Sequence, residues 1–173
     1  MKKTLILLFA VLILITGLTF SAPPKTSYLR IHIRANSNEE FDQAVKYAVK
    51  ESVVEFLTPV VAECKDISSA MKKVKENLSK IEKVADKMLK DNGANYTSLA
   101  RIKNEQFPTR VYGALTLDSG YYDALIINLG SGTGDNWWCV VYPPLCFVES
   151  GTNYEYKSKI YQIINDFFEN KEK

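Results

Sequence analysis

The chain has 173 residues, 22 of them basic and 20 acidic, for a formal net charge of +2. Lys2 and Lys3 account for that excess, so the chain beyond its leader is neutral by formal count, which excludes broad nucleic-acid binding through a basic surface. About 150 residues follow the leader, enough for one domain with one core, with neither linker composition nor an internal repeat.

Taken in chain order, the first feature is that leader. Lys2 and Lys3 precede an apolar run from Leu5 to Phe20, interrupted by Thr16, Gly17 and Thr19 and followed by small residues at Ser21 and Ala22. A charged start, an apolar middle and small residues read as an export signal. The run is short for a membrane span, which needs about 20 residues. Pro23 and Pro24 disfavour cleavage just after it. Residues 1–22 are therefore expected to be a signal peptide or an uncleaved signal anchor. A buried core helix is disfavoured, because nothing polar gives the run a solvent face. Lys2 and Lys3 stay in the cytosol by the positive-inside rule, and everything after Ala22 is expected to work outside the cytoplasm.

Tyr28 to Ala35 alternates, with Leu29, Ile31, Ile33 and Ala35 on one face and Arg30, His32 and Arg34 on the other, the pattern of a half-buried strand. Ser37 and Glu40 have capping-box spacing. The helix they start is expected to carry an apolar stripe from Phe41 through Val45, Val49 and Val53 to Phe56, and to stop at Pro59. A second helix is expected from Ile67 to Lys90, capped by Asp66 and closed by Asn92-Gly93. Its lysines are interspersed with Glu76, Glu82 and Asp86, as on a solvated face. From Tyr96 the texture becomes strand-rich: Tyr96 to Phe107, Arg110 to Leu117, Tyr121 to Leu129 and Asn136 to Tyr142. Asp118-Ser119-Gly120 reads as a hairpin turn and Gly130 to Asp135 as a longer, flexible hairpin loop. Leu145 to Glu149 can add a short strand, and a last helix is expected from Tyr154 to Glu169. The expected fold is α+β: an antiparallel sheet of four to five strands with three helices packed mainly on one face, after the N-terminal apolar leader, in a single domain over 28–171.

Asn136 to Cys146 holds both tryptophans and two of the three cysteines. Trp137 and Trp138 point to opposite faces of a strand, and burial of both is the expectation. Beyond the cytosol a Cys139–Cys146 disulfide stays open. With Pro143-Pro144 at a turn the bridge forms only if the register shifts, so two buried thiols are expected instead.

Catalytic patterns are thin. Gly130-x-Gly132-x-Gly134 is followed by a strand, whereas a phosphate loop needs a helix to open after the glycines. His32, the one histidine, has no evident nucleophile and orienting acid beside it. The cysteine spacings do not suit zinc. Asp118, Asp123 and Asp135 sit where aspartate serves the backbone. No cofactor or metal is expected, and the chain reads as not an enzyme.

Three stretches carry a resemblance. The first is Arg30-x-His32-x-x-Ala35-Asn36-Ser37 followed by Asp42-Gln43-x-x-Lys46. The second is Phe107-Pro108-Thr109 with Tyr112-Gly113, then Gly120-x-Tyr122-x-Ala124-Leu125. The third is Asn136 to Cys146 with Phe147. Together they resemble the stage II sporulation protein R family of exported signalling proteins, in the family's order and spacing. Arg34 departs from the family's apolar tendency there, and the loop before Asn136 varies.

The resemblance implies a function. Such proteins are made in the forespore and secreted across its membrane into the intermembrane space, or held there by an uncleaved anchor. They activate a membrane-embedded aspartic protease of the mother cell, which cuts the sigma-E precursor. The partner-contact residues expected on this reading are Arg30, His32, Arg34, Asn36, Trp137 and Trp138. Membrane proximity comes through the leader, and nucleic acid is not a partner. Two alternatives remain. One is an exported cysteine-dependent cell-wall hydrolase using Cys139 or Cys146 with His32. The other is a non-catalytic wall- or membrane-associated binding module.

Overall fold

Strand β1 (Leu29–Arg34) begins the folded part. The computed structural model describes residues 28–113, 115–147 and 154–170, with the backbone alone for 154–156, so the leader lies outside the described residues. After β1 come helices α1 (Glu40–Ala62), α2 (Ile67–Glu76) and α3 (Leu78–Asp91). Strands β2 (Ser98–Phe107), β3 (Arg110–Tyr112), β4 (Leu115–Leu117), β5 (Gly120–Leu129) and β6 (Asn136–Tyr142) follow. A 3₁₀ turn at Leu145–Phe147 and helix α4 (Tyr154–Glu169) complete the order.

The class is α+β, as expected, but the four-stranded sheet is mixed. Its order is β2-β5-β1-β6, with β5 parallel to β1 and the outer strands antiparallel to their neighbours. A parallel pair needs a long crossover, and the three helices with β2 supply it. Ala124 to Ile127 in β5 are all fully buried, the continuous apolar run of an interior strand covered on both faces. β1 is covered on both faces too, so it is not half-buried: Arg30 and His32 are as inaccessible as Leu29 and Ile31.

Helices line one face of the sheet. Leu29, Ile31 and Ile33 join Val49, Val53 and Leu57 of α1, Val74 of α2, Ile81 and Leu89 of α3, and Ile160 of α4 in one core. α1 buries Asp42, Val45, Lys46, Val49, Val53, Leu57 and Val61, leaving Phe41 exposed. It also runs through Pro59 to Ala62. The proline withholds its own N–H from the Glu55 carbonyl, and Glu55 is exposed to water, which relieves that cost. Burial of Leu57, Val61 and Ala62 then carries the last turn.

The expected second helix is broken in two at Asn77. The Asn77 side-chain amide donates to the Lys73 carbonyl at 2.8 Å, competing with the helix's own bonding. Asp66 caps α2 as anticipated, accepting from the Ser69 N–H at 2.7 Å. Arg110 to Leu117 is not one strand. It folds back as the β3–β4 hairpin, with Gly113 at φ +60° in the turn. Leu145 begins a 3₁₀ turn rather than a strand, while residues 148 and 149 lie outside those described.

Candidate functional site

The sheet face opposite the helices gathers the polar side chains of β1. Register places Arg30 beside Ala124 and Val140, His32 between Ile126 and Trp138, and Arg34 between Asn128 and Asn136. The β3–β4 hairpin closes over the Arg30 end. Arg30 is completely buried, its guanidinium 4.3 Å from the Phe107 ring centroid, 4.9 Å from Tyr122 and 5.6 Å from Tyr112. Its Nη2 donates to the Tyr112 hydroxyl at 2.6 Å, while Nε and Nη1 have no partner among the described residues. Rings on several sides compensate a buried cation by cation–π attraction. The second sequence stretch, Phe107 to Tyr122, is thus the wall of an arginine cage.

His32 is stacked on Trp138, ring centroids 3.6 Å apart, and Trp138 meets Phe107 edge-on at 4.7 Å. His32 Nδ1 lies 3.3 Å from Glu105 Oε2, and Arg34 Nε donates toward His32 Nε2 at 3.4 Å. Arg34 Nη2 also pairs with Glu105 Oε1. This pattern fits the neutral ring with its proton on Nδ1, because a protonated Nε2 would face a second donor. Burial is the main reason the imidazole pKa falls below its ordinary value of 6.5, with Arg34 adding to the fall and Asn136 and Glu105 opposing it. Burial by itself would raise the Glu105 carboxyl, but Arg34 and His32 hold it below the usual range. Around this cluster Arg101, Lys103 and Arg110 are exposed and have no carboxylate partner among the described residues. Arg110 stands 5.8 Å above the Trp138 ring.

A second polar cluster ties the start of α1 to the glycine-rich loop. That loop is not a hairpin, because β1 lies between β5 and β6 and the loop crosses its end. Nor is it loose. Gly134 N–H donates to the Ala35 carbonyl at 2.9 Å and Ser131 N–H to Asn36 Oδ1 at 2.9 Å. Asp135 N–H donates to Asn38 Oδ1 at 2.6 Å, and Thr133 Oγ1 to the Asn36 carbonyl at 2.9 Å. Asp42, 5% exposed, accepts from Asn36 Nδ2 at 2.8 Å, Ser37 Oγ at 2.6 Å and Tyr96 OH at 2.5 Å. Burial alone would raise the Asp42 pKa, yet these donors together hold it below 3.8. Lys46, also buried, donates to Gln43 Oε1 at 2.7 Å and the Asp135 carbonyl at 3.1 Å. The first sequence stretch, Asn36-Ser37 with Asp42-Gln43 and Lys46, is therefore a lock that fixes the loop. The expected capping box is not made: Glu39 is the N-cap residue and has no side-chain cap bond.

The structure thus brings Arg30, His32, Arg34 and Trp138 together and places Asn36 in the lock. Trp137 faces the helix side, 5.9 Å from Lys50 Nζ, and both tryptophans are half-buried rather than buried. Arg30 and His32 are buried in this structure. The accessible part of the cluster is Arg34, Glu105 and Trp138 with the three unpaired cations. Glu105 escaped sequence reasoning because its partners lie more than seventy residues away. Asp42 and Lys46 did leave a signal, two charged residues one turn apart on a face otherwise apolar.

Cys139 and Cys146 are joined as a disulfide, Cα atoms 6.0 Å apart. The 3₁₀ turn folds Cys146 back over β6, which the expected return strand would not do. Cys139 pairs with Ile31 and points to the helix side, so it lies on the opposite face from His32. The remaining thiol, Cys64, is buried in a groove between α1 and α4, away from this face, and its burial raises its pKa.

The stage II sporulation protein R (spore_II_R) family profile matches residues 25–152, which include both clusters. The chain is 32% identical over 163 residues to stage II sporulation protein R of Bacillus subtilis (strain 168), covering 86% of this chain and 73% of that protein. No solved structure matches the chain.

Proposed function

We propose how this chain works on the footing that it belongs to the stage II sporulation protein R family. It is an exported signalling protein of endospore formation, acting in the intermembrane space after crossing the forespore membrane. It docks on a membrane-embedded aspartic protease of the mother cell and favours its active arrangement, so that the sigma-E precursor is cut. Residues 28–171 act as one docking domain, with no bond-breaking step of their own. The observation that carries this reading is the match over residues 25–152, which takes in all three sequence stretches.

The geometry supports docking over the cysteine-hydrolase alternative. A thiol nucleophile needs a base within hydrogen-bond reach. Cys139 is tied to Cys146 and separated from His32 by the sheet itself. His32 is enclosed by Trp138, Glu105 and Arg34. Activation then depends on differential affinity. Moving a protease from 1:99 to 99:1 in favour of its active state requires about 10⁴-fold tighter binding to that state.

Deletion of the gene, followed by blotting for the sigma-E precursor at the two-cell stage, tests the proposal. The precursor should remain uncut and should be restored to processing by the Cys139→Ser/Cys146→Ser chain. Normal processing in the deletion strain contradicts activation, and loss of signalling by a folded double-serine chain revives the hydrolase.

A further inference from the structure

β2 forms one border of the sheet, and its outer side is divided in two. Its antiparallel register with β5 is unbroken from Ser98↔Leu129 to Phe107↔Gly120. Backbone groups of alternate residues therefore point the same way. Ser98 N–H donates to Asp86 Oδ1 at 2.6 Å and Ala100 N–H to Glu82 Oε1 at 2.8 Å, both acceptors on α3. These amides point away from β5, and by alternation so do the N–H and C=O groups of Ile102, Asn104 and Gln106. None of those later groups bonds to another described residue.

The halves also differ in charge. Helix α3 fills the first with its own carboxylates. Beside the second stand Arg101 and Lys103, both exposed and both without an ionic partner among the described residues. Glu105, the acid nearest in sequence, is already held by Arg34 and His32. The missing complement is thus a strand that carries carboxylates, as α3 already offers carboxylates to the first half.

We propose that Ile102–Gln106 is the edge on which an extended, acidic segment of the partner protein docks, adding a strand to the sheet. This rests on the docking reading above and names its surface. Main-chain hydrogen bonds to the outward groups of Ile102, Asn104 and Gln106 supply affinity. Carboxylates on alternate residues of the incoming strand meet Arg101 and Lys103 and set register and selectivity. The same cations disfavour a second copy of this chain, which would bring them to the shared face twice over.

The test measures binding of the full chain to the detergent-solubilised protease. Asn104→Pro removes one outward N–H and no main-chain bond to β5, and loses the side-chain bond to Asp123 that Asn104→Ala loses equally, while Arg101→Glu/Lys103→Glu reverses the charge. Each should weaken binding by about tenfold or more. Asn104→Ala, which keeps the N–H, and Lys72→Glu/Lys83→Glu, which reverses charge on the helices, should stay within about twofold. In the unaltered chain, amide exchange at Ile102, Asn104 and Gln106 should slow by about tenfold or more on complex formation, with Ser98 and Ala100 unchanged. That measurement decides the matter if the proline variant does not fold. Unchanged exchange at those amides, or wild-type affinity in both altered chains, overturns the edge and leaves docking standing. Failure of the unaltered chain to bind at all overturns docking itself. Protection of the same amides in the free chain as its own concentration rises would assign the edge to a second copy and also overturn the proposal.

Discussion

Asp42 shows how much a single buried carboxylate organises here. It receives Asn36, Ser37 and Tyr96, and Asn36 in turn holds Ser131 of the crossing loop. The loop fits only because its glycines lack side chains: a Cβ on Gly134 would lie 2.1 Å from the Ser37 carbonyl oxygen. Gly134→Ala should cost about 1–3 kcal/mol in urea unfolding, because backbone has to shift to admit it. Unchanged stability would mean that the loop is not clamped. The glycines were legible in the sequence as a loop, but the clamp was not, since Asn36 and Ser131 are far apart in the chain and their pairing is a property of sheet order. His32 gives a second residue-level expectation. Its folded pKa is depressed below 6.5, so the unfolded chain binds the proton more readily. Stability is then full above 6.5 and falls as pH drops through the folded value. Asp42 and Glu105 are depressed as well and lose their contribution as pH falls below the ordinary carboxylate range. Urea midpoints measured against pH should therefore begin to fall below about 6.5, and His32→Phe should remove the part of the fall that begins there. A fall that still begins near 6.5 in His32→Phe would assign it to another group.

The elements repeat the same contrast between local and distant information. Helix caps at Asp66 and Gly93 were readable because they depend on neighbours a few residues away. Pro59 does not stop α1. A proline near the last turn of a helix forfeits one bond, and the burial of Leu57 and Val61 outweighs it. Pro59→Ala restores an N–H opposite the Glu55 carbonyl and should stabilise the protein by about 1–2 kcal/mol, measured by thermal unfolding. A destabilised variant would show that the ring's packing outweighs the lost bond. The parallel pairing of β5 with β1 had one sequence signal, the unbroken apolar run Ala124-Leu125-Ile126-Ile127, which suits a strand buried on both faces rather than an alternating one. The alternation in β1 misled for the converse reason: a polar face need not be a wet one when Phe107, Tyr112, Tyr122 and Trp138 are there to cover it.

At the scale of the whole molecule, the helices pack one side of the sheet, and the arginine cage and histidine cluster fill the other. Among the described residues of that second side, Arg34, Glu105 and Trp138 reach solvent beside the exposed Leu99 and Asn136, ringed by Arg101, Lys103 and Arg110. On the proposed function a partner would meet a cationic surface laid over buried ring contacts and hydrogen bonds, as suits binding by complementarity. The central claim is that the chain activates by occupying a partner, without turning over a substrate itself. The direct measurement reconstitutes the protease in vesicles with the sigma-E precursor and titrates in the purified chain. Cleavage should rise and saturate at a fixed molar ratio of chain to protease, and should vanish when the protease aspartates are replaced. Cleavage that persists without the protease aspartates, or that grows with trace catalytic amounts of the chain, would contradict the claim.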